Sequence, residues 1–247
     1  MEKSIKIFEN IDEMSAFLAR QLIIQLQNIP EGQFFSIALS GGSTPRIFFQ
    51  QLALKFRNQI DWKKIKVFWG DERCVAPESD ESNYKMAKES LFDRVPIPAG
   101  QIFRIKGEDN PVFESERYEK VVTQHIPIQN TVPRFDFILL GLGEDGHTAS
   151  IFPGRLDLFN TDKLFVVAEH PVTKQKRISA SGRLINNART VAFLVTGESK
   201  SMMISKIIDQ KGDWEKLPAS MVRPKSGELI WLLDDNSGSR VKAQFGT

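Results

Sequence analysis

The chain has 247 residues, a formal net charge of +2, 41% apolar residues and 26% charged residues. That length can bury a full core, and Lys and Arg are interspersed with Asp and Glu, so no basic stripe points to nucleic acid as a partner. The one cysteine, Cys74, excludes an internal disulfide and a cysteine-based zinc site, and no segment approaches the roughly 20 apolar residues of a membrane span, so a cytoplasmic protein without a membrane partner is expected.

Residues 1–6 lack the apolar core of a secretory signal. Residues 11–26 read as an amphipathic helix with Met14, Phe17, Leu18, Leu22 and Leu26 on one face. Residues 34–39 read as a buried strand, and 45–58 as a helix whose Phe48, Phe49, Leu52 and Phe56 share a face. A strand over 66–69, a helix over 83–92, a short strand over 102–105 and a helix over 113–125 follow. Residues 135–140 are a continuous apolar run bounded by Pro133 and Gly141. Further strands are expected over 164–168, 177–180, 190–195 and 229–233, with a helix over 199–209 between the last two.

This alternation predicts an α/β fold, a mostly parallel open sheet with helices on both faces. No internal repeat or low-complexity linker divides the chain. The Pro/Gly-rich stretch 95–110 is read as a connection, and residues 1–247 as one domain.

In open α/β sheets, ligands gather beyond the carboxyl ends of strands, and three loops qualify. The first is Ser40-Gly41-Gly42-Ser43-Thr44-Pro45. Its glycines let backbone N–H groups approach a ligand, Thr44 is expected as the N-cap and Pro45 as the first helical residue. Amides, hydroxyls and a positive helix end suit an anion such as phosphate; a plain capped turn is the bland alternative. The second is Gly70-Asp71-Glu72-Arg73, where carboxylates and a guanidinium could orient sugar hydroxyls or neutralise growing negative charge. A surface turn with a local ion pair is equally open there.

The third loop, Gly141-Leu142-Gly143-Glu144-Asp145-Gly146-His147-Thr148, matches G-x-G-x-x-G, with Glu169 lying 23 residues beyond Gly146. A dinucleotide-binding crossover needs a long helix directly after the third glycine, and Pro153-Gly154 interrupt it here. The better reading turns on His147 as a general base, with Asp145 holding its tautomer or its charge. His125 and His170 read as structural. Ahead of a later strand, Lys174-Gln175-Lys176-Arg177 is a charge run of the kind that usually forms a solvated face, but next to an anion-binding loop Arg177 could supply a bidentate phosphate contact.

Together these stretches resemble the 6-phosphogluconolactonase family. The resemblance rests on residues 38–45, on Trp69-Gly70-Asp71-Glu72-Arg73, on residues 141–153, on Asn186-Asn187-Ala188-Arg189, on Thr196-Gly197-Glu198-Ser199-Lys200 and on Pro218-Ala219-Ser220. It implies a sheet of the kind shared with glucosamine-6-phosphate deaminases and ribose-5-phosphate isomerases. It also implies hydrolysis of 6-phospho-D-glucono-1,5-lactone in the oxidative pentose phosphate pathway, with no metal or other cofactor. The family's catalytic histidine, aspartate and arginine fall on His147, Asp145 and Arg73. Ser40, Gly41, Gly42, Ser43, Thr44, Asp71, Gly143, Lys174 and Arg177 are the expected substrate-binding set.

Two departures stand out. The segment before Arg177 lacks the family's proline-rich run, and Ser181-Gly182-Arg183 replaces a more apolar continuation. The sister deaminases carry a Tyr after the Asp-Glu pair and a Glu before the proline that follows the histidine. Arg73 and Phe152 occupy those two positions here, which favours the lactonase. The expected chemistry is attack of a His147-activated water on the lactone carbonyl, with Arg73 near the developing charge and the 40–44 loop on the phosphate.

Overall fold

A computed structural model describes residues 2–245. In chain order its strands are β1 (Glu2–Phe8), β2 (Phe35–Leu39), β3 (Ile65–Trp69), β4 (Asp71–Arg73), β5 (Ile128–Gln129), β6 (Val132–Pro133), β7 (Phe137–Leu140), β8 (Phe165–Glu169), β9 (Lys176–Ala180), β10 (Thr190–Val195) and β11 (Glu228–Asp234). The α-helices are α1 (Ile11–Gln27), α2 (Ser43–Gln51), α3 (Asn83–Ser90), α4 (Pro111–His125), α5 (Leu156–Phe159), α6 (Gly182–Ile185), α7 (Ser201–Ile208) and α8 (Asp235–Phe245).

Six strands form a parallel sheet in the order β1-β11-β10-β7-β2-β3. Every residue of β2, β7 and β10 is buried, as expected for strands covered on both faces. The chain steps from β1 to β2 to β3 in one direction and from β7 to β10 to β11 in the other. Right-handed crossovers therefore put α1 and α2 on one face and α7 on the opposite one. Accordingly α1 packs on α2, and α7 on α8.

Between β2 and β7 the direction of the connections reverses. These neighbours pair only at Ile37–Phe137 and Ala38–Ile138, and the loops that leave them part to either side. Such a switch point opens a crevice at the carboxyl edge of a parallel sheet.

The expected strands over 164–168 and 177–180 lie outside the parallel sheet. They form β8 and β9 of a separate antiparallel sheet, ordered β4-β9-β8. Gly70 joins the two sheets. Its N–H donates to the Leu39 carbonyl of the large sheet at 2.8 Å, and its own carbonyl accepts from Ala180 N–H of the small one at 2.7 Å.

Local chemistry accounts for the helix starts. The Asn10 side chain accepts from Asp12 and Glu13 N–H to open α1, with two acidic residues in its first turn. The Asn110 side chain caps α4 ahead of Pro111. The start of α2 differs from the expectation: Gly42, at φ 113°, is the N-cap and Ser43 the first helical residue. Thr44 does not cap because its hydroxyl is paired with that of Thr196 at 2.7 Å. Pro45 remains within the first turn, where its missing N–H has no intrahelical partner to lose. The expected strand over 102–105 reduces to one bridge between Val67 and Ile102.

Candidate active site

The crevice is a cavity of about 280 Å³. Its lining includes Ser40, Gly41, Gly42, Ser43 and Thr44 from the β2–α2 loop, Asp71 and Arg73 from β4, Gly143 and His147 from the loop after β7, and Arg177 from β9. Three loops separated by up to about a hundred residues thus meet at one strand-end crevice.

The loop after β7 folds back on itself: Gly143 N–H donates to the His147 carbonyl at 2.9 Å and Gly146 N–H to the Gly143 carbonyl at 3.0 Å. Gly146 sits at φ 85°, a conformation glycine adopts without a Cβ penalty. This turn brings His147 Nδ1 to 2.6 Å from Asp145 Oδ1, which also accepts the His147 backbone N–H at 3.1 Å. Burial works to raise the Asp145 carboxyl, but its hydrogen bond to the imidazole, the charge on that ring and two backbone N–H groups together hold it below the usual carboxylate range. A carboxylate on Nδ1 leaves Nε2 as the nitrogen that can exchange a proton with a ligand. Gly143 makes the dyad possible: a Cβ there would lie 2.1 Å from His147 Nδ1 and 2.5 Å from Asp145 Oδ1.

Arg73 and Arg177 face each other directly across the β4–β9 pair. Arg73 donates to the Glu81 carbonyl at 2.6 Å, and Arg177 reaches Ser150 Oγ at 3.5 Å. The Nε–H of each is buried without a hydrogen-bond partner. Burial, then repulsion from Arg73, pulls the Arg177 guanidinium below its ordinary value. Two crowded guanidinium groups with unspent donors beside a cavity favour an anion there.

The two acidic neighbours of Arg73 divide their work. Asp71 is buried, lines the cavity and accepts from Ser150 Oγ at 2.6 Å. Glu72 turns the other way and clamps the start of α3. It accepts from the N–H of Arg73, Asn83 and Tyr84 at 2.7–2.8 Å and from Ser82 Oγ at 3.3 Å. Burial outweighs these donors and pushes Glu72 up to about 7.

The model of the family described as glucosamine-6-phosphate isomerases/6-phosphogluconolactonase matches residues 9–231. A 6-phosphogluconolactonase of Treponema pallidum is 40% identical over 227 residues, covering 92% of this chain and 93% of its own. The chain belongs to this family. The solved 6-phosphogluconolactonase of Trypanosoma brucei superposes with a TM-score of 0.84 at 30% identity, over 97% of this chain and 99% of that one. A monomeric glucosamine-6-phosphate deaminase, 20% identical with a TM-score of 0.80 over 96% of this chain and 99% of that one, shares the fold.

Of the site residues expected from sequence, Lys174 stands apart from the others. It sits at φ 60° on the turn between β8 and β9, exposed, with its Nζ 3.8 Å from Glu169, and the cavity lining does not include it. Its backbone N–H instead closes the turn onto the His170 carbonyl at 3.0 Å.

Three polar residues of the lining, Asn83, Thr196 and Lys200, are not among the site residues expected from sequence. Asn83 opens α3, is fully buried, and donates from Nδ2 to the Asp71 carbonyl at 2.9 Å. Nothing local in the sequence sets it apart from an ordinary helix start. Lys200 ends the single turn before α7 and pairs with Glu144 at 3.7 Å. Its segment carried part of the resemblance, so a cation following the β10 strand end was the available signal. No group of three or more His, Cys, Asp or Glu among the described residues is placed to hold a metal ion, and no helix there is long and apolar enough to cross a membrane.

Proposed function

We propose that the chain, as one α/β unit, hydrolyses 6-phospho-D-glucono-1,5-lactone to 6-phosphogluconate, the lactonase step of the oxidative pentose phosphate pathway. The observation that carries this reading is a hydrogen-bonded His147–Asp145 dyad sharing one cavity with the Arg73–Arg177 pair. A base and an anion-binding wall within one small crevice suit a neutral ester joined to a phosphate. The family's named lactonases support the substrate, and the lone Cys74 fits a cytoplasmic setting.

His147 Nε2 takes a proton from water as the water oxygen bonds to C1 of the lactone. Negative charge passes to the carbonyl oxygen, where Arg73 is the group suited to stabilise it. Collapse of the tetrahedral intermediate breaks the bond from C1 to the ring oxygen. That oxygen leaves with the proton returned by His147. Asp145 keeps Nδ1 protonated and steadies the transient imidazolium, as a carboxylate on that nitrogen must.

A phosphate monoester carries nearly two negative charges at neutral pH. Arg177, Lys200, the hydroxyl of Ser43 and the α2 amides are the donors suited to it, with Ser40, Gly41 and Gly42 shaping the loop and Asp71 turned to sugar hydroxyls. Anchoring the far end of the substrate fixes C1 against the base.

A coupled assay on freshly generated lactone, corrected for spontaneous hydrolysis, tests the reading. His147→Ala loses about 10²-fold or more in turnover with a smaller change in KM. Near-normal turnover in that variant removes His147 from the role of base, and ammonia release from glucosamine-6-phosphate by the wild type would favour the deaminase branch instead.

A further inference from the structure

We propose that Phe152 is a positioning residue for this reaction, holding the His147 imidazole and the Arg177 guanidinium in one fixed relation. The inference rests on the lactonase reading above.

Phe152 is buried, and three functional or titratable groups surround its ring. The His147 ring centroid lies 4.6 Å away at a 42° tilt, and Arg177 Cζ lies over the ring at 5.7 Å. His170 meets it edge-on at 5.1 Å and 72°. His170 is itself fixed, because its Nδ1 accepts the N–H groups of Val172 and Thr173 at 3.2 and 3.1 Å. The ring therefore has a supported neighbour behind it as well as functional ones beside it.

Neither functional neighbour is held adequately without that ring. The hydrogen bond to Asp145 fixes the distance at His147 Nδ1, but it leaves the imidazole free to tilt about the Nδ1···Oδ1 line, and Asp145 is itself exposed. A proton transfer through Nε2 needs that tilt set, since Nε2 is the far atom of the ring. Arg177 has one long hydrogen bond and a buried Nε–H with none, so the plane of its guanidinium is defined chiefly by the aromatic face beneath it. Repulsion from Arg73 would otherwise turn it away. One ring thus sets both the angle of the base and the plane of the cation.

The test compares Phe152→Leu, which keeps apolar volume but removes the ring, with Phe152→Tyr, which keeps the ring. For Phe152→Leu, kcat is expected to fall about 10- to 100-fold, the cost of a misplaced reacting group, and KM for the phosphorylated lactone to rise. Phe152→Tyr restores kcat to within a few-fold of wild type. The downfield proton resonance of His147 Nδ1–H should persist in the wild type and Phe152→Tyr and broaden in Phe152→Leu, a signature that loss of stability alone would not give. Should Phe152→Leu fail to fold, Phe152→Met fills the space without a ring face and carries the same expectation. A folded Leu or Met variant with kcat within twofold of wild type, measured beside an inactive His147→Ala, overturns the positioning role alone. Full activity in His147→Ala overturns the reading beneath it and this inference together.

Discussion

Replacing Gly143 with alanine isolates the geometry of the dyad from its chemistry, since it leaves every functional group in place. The added Cβ would lie 2.1 Å from His147 Nδ1, 2.4 Å from Cε1 and 2.5 Å from Asp145 Oδ1. Non-bonded heavy atoms settle at about 3.5 Å or more, so the imidazole and carboxylate must withdraw by roughly 1.4 Å or the loop must open by that much. Both atoms belong to the pair that sets the base, and neither can retreat while keeping their 2.6 Å contact in place against the cavity. A displacement of about 1 Å at a reacting group can cost on the order of 10²-fold in rate. Backbone strain is not the cause, because Gly143 has no positive φ. We expect kcat in the coupled lactone assay to fall about 10²-fold in Gly143→Ala. The melting temperature should move only as far as a small overpacking change of about 1–3 kcal/mol implies. Activity within threefold of wild type in a normally folded Gly143→Ala would refute the argument, for it would mean that the dyad geometry does not limit turnover.

Two further expectations follow from buried contacts beside the cavity. In Gly41→Ala the new Cβ would fall 1.8 Å from Asn83 Oδ1; Asn83 must then release the Asp71 carbonyl, and KM should rise more than kcat falls, which steady-state kinetics would show. Glu72 is raised from 4.5 to about 7 by burial, so the folded state binds more protons than the unfolded chain between those values. Its stabilising contribution is complete below about pH 4.5 and is lost as pH rises through 7, on the order of 3 kcal/mol at most. Thermal melts across pH 5–8 should show that decline, and Glu72→Gln should flatten it; an unchanged slope in the variant would assign the decline to other groups.

The parallel sheet was legible because β2, β7 and β10 are continuous apolar runs with both faces covered, the pattern periodicity reports best. β1 was not legible: in Glu2-Lys3-Ser4-Ile5-Lys6-Ile7-Phe8 charged residues alternate with apolar ones, as suits an edge strand bonded on one side to β11. α8 was hidden by Asp235, Asn236, Ser237 and Gly238, all weak helix formers. It forms because Asp234 Oδ1 accepts Ser237 N–H at 2.8 Å and Ser237 Oγ donates to the Val195 carbonyl at 2.9 Å. β4 has three residues, too few for a period, and its antiparallel pairing with β9 is a tertiary fact. At the site, glycine-rich strand ends identified the loops, but partners such as Asn83 enter only through contacts over distant sequence. Lys174 lies outside the cavity lining, and a run of cations reads alike in sequence whether it faces a cavity or an exposed turn.

The division of labour between the sheets explains why the site needs both. The switch point between β2 and β7 can supply backbone amides, hydroxyls and an imidazole, all of which leave the ends of parallel strands. The two adjacent guanidinium groups come instead from the antiparallel pair, where the directly opposed Arg73 and Arg177 present side chains to the same face of the sheet. Gly70 then fixes where that face stands, being hydrogen-bonded into both sheets at once. Ser150, three residues after His147, adds a second tie to the small sheet, its N–H donating to Ser179 Oγ at 3.1 Å and its Oγ to Asp71 at 2.6 Å. A Cβ at Gly70 would meet only the Leu39 carbonyl, at 3.5 Å, so the hinge depends on its two hydrogen bonds more than on the absence of a side chain.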